Sequence, residues 1–216
     1  MNFEELKALH RERRNHFDEG FSTRVHRALS WLQRAEKETE DDDASFIFLW
    51  IAFNASYTSE THAKEGVIDK NLMTNYFRKL VNHGKHDISK LLNNGNRTLI
   101  LEILENEYII KPFWNDEKGQ EFWKYIRAKD RRDVVDLIGY EDRIGQILTI
   151  LFGRFYVLRN QLLHGGATWN SSVNRKQVQD CNKLLKVLVP LFIKIMLDTP
   201  KEDWGEITFP VKHNEE

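Results

Sequence analysis

The strongest pattern in the chain is an apolar stripe that recurs at three- and four-residue spacing through residues 141–164. Its members are Ile144, Ile147, Leu148, Leu151, Phe155, Leu158 and Leu162. This spacing places them on one face of an α-helix, and a stripe of this kind faces a hydrophobic core. Gly165 and Gly166 follow, and glycine favours a helix end because it tolerates positive φ. The sequence therefore predicts a long, core-facing helix that stops at the glycines.

The same periodicity recurs through most of the chain. It predicts helices over residues 23–38, 44–57, 69–81, 97–108 and 173–197, and one or two shorter helices over 118–138. Residues 82–95 are rich in Gly, Asn and His, and we expect a loop there with a short helix at 88–92. The pattern contains no alternation of strands and helices, so an all-α domain is predicted.

Two capping arrangements and one buried helix are expected. Ser22 or Thr23 is the predicted N-cap of the helix over 23–38. The acidic run at residues 40–43 is predicted to be a loop whose last aspartates cap the next helix, because anions favour a helix N-terminus. Residues 44–57 are apolar nearly all round, which indicates a buried helix, and Asn54 inside it is expected to be a hydrogen-bonded core residue.

The sequence also predicts the burial or exposure of several single side chains. Phe122 is expected to face inward from its helix, and Trp204 and Phe209 are expected to pack an extended tail. His10 and His16 flank a basic cluster in a highly charged N-terminal stretch, so both are expected to be exposed.

Size and composition restrict the class of protein. The 216 residues are expected to form one domain, 1–216. The 32 Lys and Arg nearly balance the 33 Asp and Glu, so any RNA-binding surface has to be a local patch. No apolar run reaches the roughly 18 residues of a membrane helix, and the single cysteine, Cys181, cannot form an internal disulfide or a Cys cluster for zinc. We therefore expect no membrane partner and a reducing, cytoplasmic location.

Polar residues interrupt the stripe where its helix is predicted to end. The stretch LRNQLLHGGATWN, residues 158–170, contains Arg159, Asn160 and His164. Asn160 and His164 are i,i+4 neighbours that can touch, whereas residues five apart lie about 140° apart on a helix. Arg159 and His164 would thus converge only if the glycines let the last turn unwind. Arg suits the binding of a phosphate and His suits proton transfer near neutral pH, but from the spacing alone a simple helix cap is favoured.

In its wider context this stretch resembles the HEPN superfamily of all-α domains. The motif of that superfamily is R-x(4–6)-H, often with Asn directly after the Arg, and residues 159–164 match its four-spacer form. Three stretches are similar to landmarks of bacterial Apea-like HEPN proteins, namely RVHRALSWLQRAE (24–36), SFIFLWIAFNASY (45–57) and LRNQLLHGGATWNSSVNR (158–175). Residues 60–140 have no counterpart in this resemblance and are interpreted as a family-specific helical insertion.

The resemblance implies a HEPN-type antiparallel helical bundle that pairs as a homodimer and brings two R-x4-H motifs into one cleft. It implies a metal-independent endoribonuclease that needs no cofactor and cleaves RNA by attack of the 2′-hydroxyl on the adjacent phosphate. In that role His164 transfers protons, Arg159 stabilises the phosphorane and Asn160 orients His164 or a phosphate oxygen. A toxin or antiphage role is implied as well, with an antitoxin or regulatory protein as a further partner. Gly166 stands where some HEPN toxins carry a modified Tyr, so that regulation is not expected.

Two other interpretations fit residues 159–164. A non-catalytic HEPN module would bind a nucleotide or a protein partner through the same residues, and the near-neutral charge favours it. An unrelated helical scaffold carrying the motif by chance is the third interpretation. Elsewhere, the basic stretch at 124–132 with Trp123 and Tyr125 could grip RNA, although charged helix faces are usually solvated. His83 and His86 have no third ligand in the sequence, so no metal site is expected.

Overall fold

The computed structural model describes residues 1–58, 70–114, 121–173 and 175–210. In these ranges the chain forms nine α-helices and three short 3-10 helices, without a β-strand, which confirms the all-α prediction there. The α-helices are α1 (Phe3–Arg13), α2 (Glu19–Glu36), α3 (Asp42–Tyr57), α4 (Lys70–Asn93), α5 (Arg97–Glu105), α6 (Lys111–Trp114), α7 (Phe122–Leu137), α8 (Ile144–Leu163) and α9 (Arg175–Asp198). The 3-10 helices span Arg14–His16, Glu107–Ile109 and Glu141–Arg143.

The core forms where α3, α4, α8 and α9 meet. Helix α3 packs against α2 and α9, while α4 packs against α8 and α9. Phe152 of α8 lies at the centre, with its ring centroid 4.3 Å from Phe53, 4.9 Å from Phe77 and 5.9 Å from Phe192. Large aromatic side chains of this kind dominate core energetics. The nearly uniform apolar surface of α3 is explained by these contacts, which surround it.

Helix α8 confirms the stripe predicted from the sequence. Six of the seven stripe residues are buried, and Leu162 is partly buried against the core. The helix ends at Leu163, and His164 follows as the C-cap before the two glycines. The candidate motif therefore lies at the end of a helix whose other face is fixed in the core.

The predicted loop at 82–95 is wrong, because α4 continues to Asn93. The helix bends at Gly84, which has φ −137° and ψ 23°. Ile88 and Leu92 beyond the bend are fully buried, so tertiary packing outweighs the weak helix propensity of the local sequence. Gly84 permits a close approach of α9, since a Cβ atom there would lie 2.4 Å from Cδ1 of Ile195. The Asp69 cap expected for this helix lies outside the described residues.

One predicted helix cap is wrong and the other is confirmed. Helix α2 is capped by Asp18, whose carboxylate accepts a 2.7 Å hydrogen bond from the Phe21 amide, and not by Ser22 or Thr23. The helix begins earlier than expected because Phe21 is buried and extends the apolar face. In the acidic run, Asp41 caps α3 by accepting a 2.9 Å hydrogen bond from the Ala44 amide, so the cap comes from this run as predicted, but from its first aspartate, because Asp42 and Asp43 already lie in the helix.

Three side-chain expectations are wrong. Phe122 is 54% exposed and stacks on Tyr125, at a centroid distance of 5.9 Å, instead of facing inward. Phe209 is exposed because the tail is held by its backbone, through Arg27 donating to the Phe209 carbonyl. His10 is buried between α1 and α2, whereas His16 is exposed and Trp204 is buried, as expected.

The described part of residues 60–140 belongs to the same core. Its buried residues include Met73, Tyr76, Phe77, Leu80, Ile100 and Val134. Asp130 of α7 also accepts a 2.8 Å hydrogen bond from the buried Arg154 of α8. That this segment is an insertion specific to one family stays a prediction. No helix in the described ranges is long and apolar enough to cross a membrane.

Candidate functional site

The candidate site lies at the carboxyl end of α8. His164 is the C-cap residue, and its amide donates a 3.1 Å hydrogen bond to the Asn160 carbonyl. Gly165 then adopts a φ of +70°, a left-handed conformation that glycine enters without strain. The Ala167 amide closes the turn on the Gln161 carbonyl at 3.0 Å. This turn directs the chain away from the helix and leaves His164 exposed.

Arg159 and Asn160 are joined through their side chains, whereas His164 stands apart. Nη1 of Arg159 donates to Oδ1 of Asn160 at 2.9 Å, and both residues are half-buried. The helix stays regular through Leu163 and turns only beyond His164, so it does not unwind in the way that would bring Arg159 to His164. Among the described residues no side-chain hydrogen bond links His164 to either one. The expected contact between Asn160 and His164 is made only by the main chain.

Two tyrosines lie close to Arg159. Burial raises the pKa of the Tyr57 hydroxyl, while the positive charge of Arg159 opposes that rise. Tyr156 lies one turn before Asn160, and its ring centroid is 6.4 Å from that of Trp50 on α3. A phenol that stays protonated is a hydrogen-bond donor and not a base. The surroundings of Arg159 thus offer neutral hydrogen-bonding groups and no carboxylate partner among the described residues.

Three buried polar atoms at the junction of α3 and α8 make no hydrogen bond to a described residue. They are Nε1 of Trp50, Oδ1 of Asn54 and Nε of Arg159. Trp50, Asn54 and Tyr57 share one face of α3, because they are four and three residues apart. Asn54 was expected to be hydrogen-bonded through its side chain, and for its Oδ1 atom this is wrong. An unpaired buried polar atom costs about 1–3 kcal/mol.

The loop after His164 is anchored to the start of α3 by the acidic run. Both oxygens of Asp43 accept hydrogen bonds from Arg175, at 2.6 and 2.9 Å, and Oδ2 also accepts one from the Asn170 amide at 3.1 Å. The hydrogen bond with Asp43 raises the pKa of Arg175 further above its usual value. The exposed Trp169 donates its indole N–H to Asp41 at 2.8 Å. The sequence predicts only a capping role for these aspartates, because nothing in the local pattern indicates a partner more than 120 residues away.

A second anchor starts from inside the motif. Nε2 of Gln161 donates to the Tyr108 carbonyl at 2.5 Å, and so connects α8 to the 3-10 helix Glu107–Ile109. Gln161 and His164 are three residues apart and are neighbours on the surface of α8. This contact cannot be predicted from the local pattern of residues, because it depends on where the chain between α5 and α6 packs.

Other parts of the described structure offer less to an anionic ligand. No group of three or more His, Cys, Asp or Glu side chains is placed to hold a metal ion in the described ranges. His83 and His86 contact Glu202 and Glu141 respectively. A cleft of about 430 Å³ lies between the start of α2 and the tail, but its lining includes Asp18, Glu202, Asp203 and Glu206. Like charges disfavour nucleic acid there.

The end of α8 therefore combines a permanently charged guanidinium, an amide that holds it, and an exposed imidazole. Such a set can bind a phosphate and move a proton. No family model, curated protein or solved structure matches the chain.

Proposed function

We propose that the chain is a metal-independent endoribonuclease of the HEPN type, which acts as a homodimer with Arg159, Asn160 and His164 in its active site. The observation that carries this proposal is the pairing of Arg159 with Asn160 on the same helix end that presents the exposed His164. The likeness of this motif and of the three landmark stretches to HEPN proteins supports it further.

The chemistry follows from these side chains. A 2′-hydroxyl loses its proton to an imidazole, and its oxygen forms a bond to the adjacent phosphorus. The bond from phosphorus to the 5′-oxygen breaks, and that oxygen takes up a proton from an acid. The products are a 2′,3′-cyclic phosphate and a 5′-hydroxyl. Arg159 stabilises the charge that develops on the phosphorane, and Asn160 fixes the orientation of the guanidinium.

A second subunit supplies what one chain lacks. A base and an acid are both needed, and each chain presents one imidazole, that of His164, at this helix end. The dimer brings a second motif into the cleft, so that the proton acceptor and the proton donor come from different subunits.

The test is incubation of the purified chain with a mixed RNA pool in EDTA, beside His164→Ala. Removal of a general acid–base group is expected to lower the cleavage rate about 10²–10⁴-fold. His16→Ala is the matched control, since it removes an exposed histidine far from the motif in sequence. The new ends are identified chemically, and a 2′-deoxy substrate is expected to stay intact.

Three outcomes contradict the proposal. They are intact RNA with the wild type, equal cleavage by wild type and His164→Ala, and products that carry a 5′-phosphate. Circular dichroism of both variants ensures that a loss of cleavage does not come from a loss of folding.

A non-catalytic HEPN module that binds a nucleotide or a protein is the second candidate. On α7, Arg127 and Arg131 both contact Glu105, at 3.6 and 2.8 Å. Because this carboxylate offsets positive charge that could hold RNA, the pairing favours the non-catalytic module. In that case RNA survives incubation with the wild type, and Arg159→Ala weakens the affinity for a nucleotide or a partner protein instead.

A role as a cytoplasmic toxin or antiphage effector belongs to the same proposal. Expression of the wild type is expected to arrest bacterial growth, and His164→Ala is expected to relieve the arrest. Equal growth with both chains would contradict the toxin role and leave the cleavage assay unaffected.

A further inference from the structure

A cluster of four aromatic side chains, of which two are exposed and two are half-buried, is connected to the motif through Gln161. Its members are Tyr108, Phe113, Trp114 and Trp123, whose ring centroids lie 5.3–6.3 Å from their neighbours in the cluster. We call this set the aromatic platform. Trp114 is 53% exposed and Tyr108 is 37% exposed, although both are large apolar side chains. Large exposed rings held in fixed positions indicate a binding surface more often than a folding requirement.

The platform is held in place by one carbonyl group. The Tyr108 carbonyl accepts hydrogen bonds from Nε1 of Trp114, at 2.8 Å, and from Nε2 of Gln161, at 2.5 Å. The indole ring and the motif-bearing helix are thus fixed to the same atom. Gln161 lies three residues before His164 and neighbours it at the helix end, so this hydrogen bond joins the aromatic cluster to the motif.

Two positively charged side chains lie over one ring of the aromatic platform. The ring of Trp123 has Lys124 Nζ at 5.6 Å and Arg127 Cζ at 5.1 Å from its centroid. Lys124 is also paired with Glu121, and Arg127 with Glu105. These carboxylates weaken the attraction for phosphate, so the platform is suited to binding bases more than backbone.

We propose that the aromatic platform stacks unpaired RNA bases next to the scissile phosphate, with Trp114 and Tyr108 as the stacking residues. Every base has a π-face, and stacking on an aromatic side chain is a general way to bind single strands without reading their sequence. A duplex keeps its bases stacked inside, so the occupant is single-stranded RNA. This role rests on the proposed endoribonuclease function, and it assigns a purpose to residues that the HEPN resemblance leaves without a counterpart.

The experiment measures binding and cleavage separately. Binding is measured on His164→Ala, which keeps the RNA intact, with a fluorescent single-stranded 12-mer and with the same 12-mer carrying abasic sites. Adding Trp114→Ala is expected to weaken binding of the normal 12-mer about five- to a hundredfold, with little effect on the abasic one. The slope of Kd against salt is expected to stay the same, because no cation is removed. Trp114→Tyr is expected to restore most of the affinity.

Trp31→Ala is the matched control, because Trp31 is 38% exposed but stacks on Phe48 between α2 and α3. Unchanged binding and cleavage in Trp114→Ala and Tyr108→Ala, with an active wild type, would overturn the platform alone. Tryptophan-dependent binding without cleavage would keep the platform and refute the endoribonuclease. A chain that neither binds nor cleaves single-stranded RNA refutes both.

Discussion

His10 is the histidine whose surroundings differ most from those of His164. It is 2% exposed, its Nε2 atom contacts the Ser22 hydroxyl at 3.2 Å, and its Nδ1 atom has no hydrogen-bond partner among the described residues. Burial lowers its pKa to about 4, and the nearby charge of Lys7 adds to this effect. His10 is therefore neutral at pH 7, whereas His164 is exposed to solvent.

We expect the buried His10 to make stability depend on pH. Its pKa is about 4 in the folded chain, against an ordinary value of 6.5, so the unfolded state binds the proton more tightly. Its contribution is complete above pH 6.5 and is lost as the pH falls from 6.5 toward 4. The expected loss is roughly 1–3 kcal/mol in the free energy of unfolding, since one pKa unit corresponds to about 1.4 kcal/mol.

Urea unfolding at pH 7.5 and 5.0 measures this loss. In His10→Gln, which keeps a polar group for Ser22, the difference between the two pH values is expected to shrink. His16→Gln serves as the control, because His16 is exposed and should leave the difference as it is in the wild type. If His10→Gln and the wild type lose stability equally on acidification, His10 is not the group responsible.

At the scale of elements, the anchor between α3 and the loop after His164 makes a specific prediction. Asp43→Ala removes both hydrogen bonds to Arg175 and the one to the Asn170 amide. Because Arg175 is partly exposed, the expected loss in the free energy of unfolding is about 1–3 kcal/mol, the usual range for an unmade polar contact. The amides of residues 167–170 are expected to exchange with deuterium faster.

Glu40→Ala is the control for this anchor, since Glu40 is an exposed acid of the same run. Hydrogen exchange followed by mass spectrometry separates local loosening of the loop from global unfolding. Unchanged exchange in residues 167–170 of Asp43→Ala would show that the loop is held by other contacts.

The ion pair between α7 and α8 is buried and makes a second element-scale prediction. Burial lowers the pKa of Arg154 and raises the pKa of Asp130, while each charge opposes the effect on the other. Asp130→Ala leaves the guanidinium buried without its carboxylate, which is expected to cost about 3–5 kcal/mol in the free energy of unfolding. The double variant Asp130→Leu with Arg154→Met is expected to recover most of that loss. A double variant as unstable as Asp130→Ala would contradict this account.

The sequence predicts best those helices whose buried face is marked by an apolar stripe in the local sequence. Helix α8 is the clearest example, since its period and its terminal glycines are both local signals. Helix α4 shows the limit of local signals, because residues 82–95 look like a loop until Ile88 and Leu92 find their places in the core. The predicted N-cap of α2 is wrong for a similar reason, since the buried face of the helix begins at Phe21, before the expected start.

The candidate site divides in the same way. The helix end that carries Arg159, Asn160 and His164 follows from the apolar stripe over residues 141–164 and from the two glycines after it. The Asp43 anchor and the contact between Gln161 and Tyr108 do not follow from a local pattern, because they join segments more than 50 residues apart. Periodicity shows which face of a helix is buried, but not which other element covers it.

At the scale of the whole molecule, one chain provides half of the proposed chemistry. The regular geometry of α8 keeps Arg159 and His164 on different sides of the helix, and no described contact brings them together. In the proposed dimer, the second copy of the chain would bring its own motif into the same cleft and so overcome this separation.

Mixed dimers therefore provide a decisive prediction. Wild type and His164→Ala chains, co-expressed with two different affinity tags, yield a heterodimer in which only one subunit carries His164. If the proton acceptor and the proton donor come from different subunits, this heterodimer is expected to lose about 10²-fold or more in cleavage rate, as the His164→Ala homodimer does. A heterodimer of two differently tagged wild-type chains is the control for the tags and the purification.

The same preparation distinguishes the other arrangements. Half of the wild-type rate in the mixed dimer would mean that each subunit carries a complete site, so the division of roles between two copies of His164 would be wrong. Failure to isolate any heterodimer, together with a monomeric mass in light scattering, would contradict the dimer itself. The regular turn before His164 separates it from Arg159 within each chain, so the proposed site needs residues of both subunits. We therefore expect the loss of one His164 imidazole to inactivate the dimer.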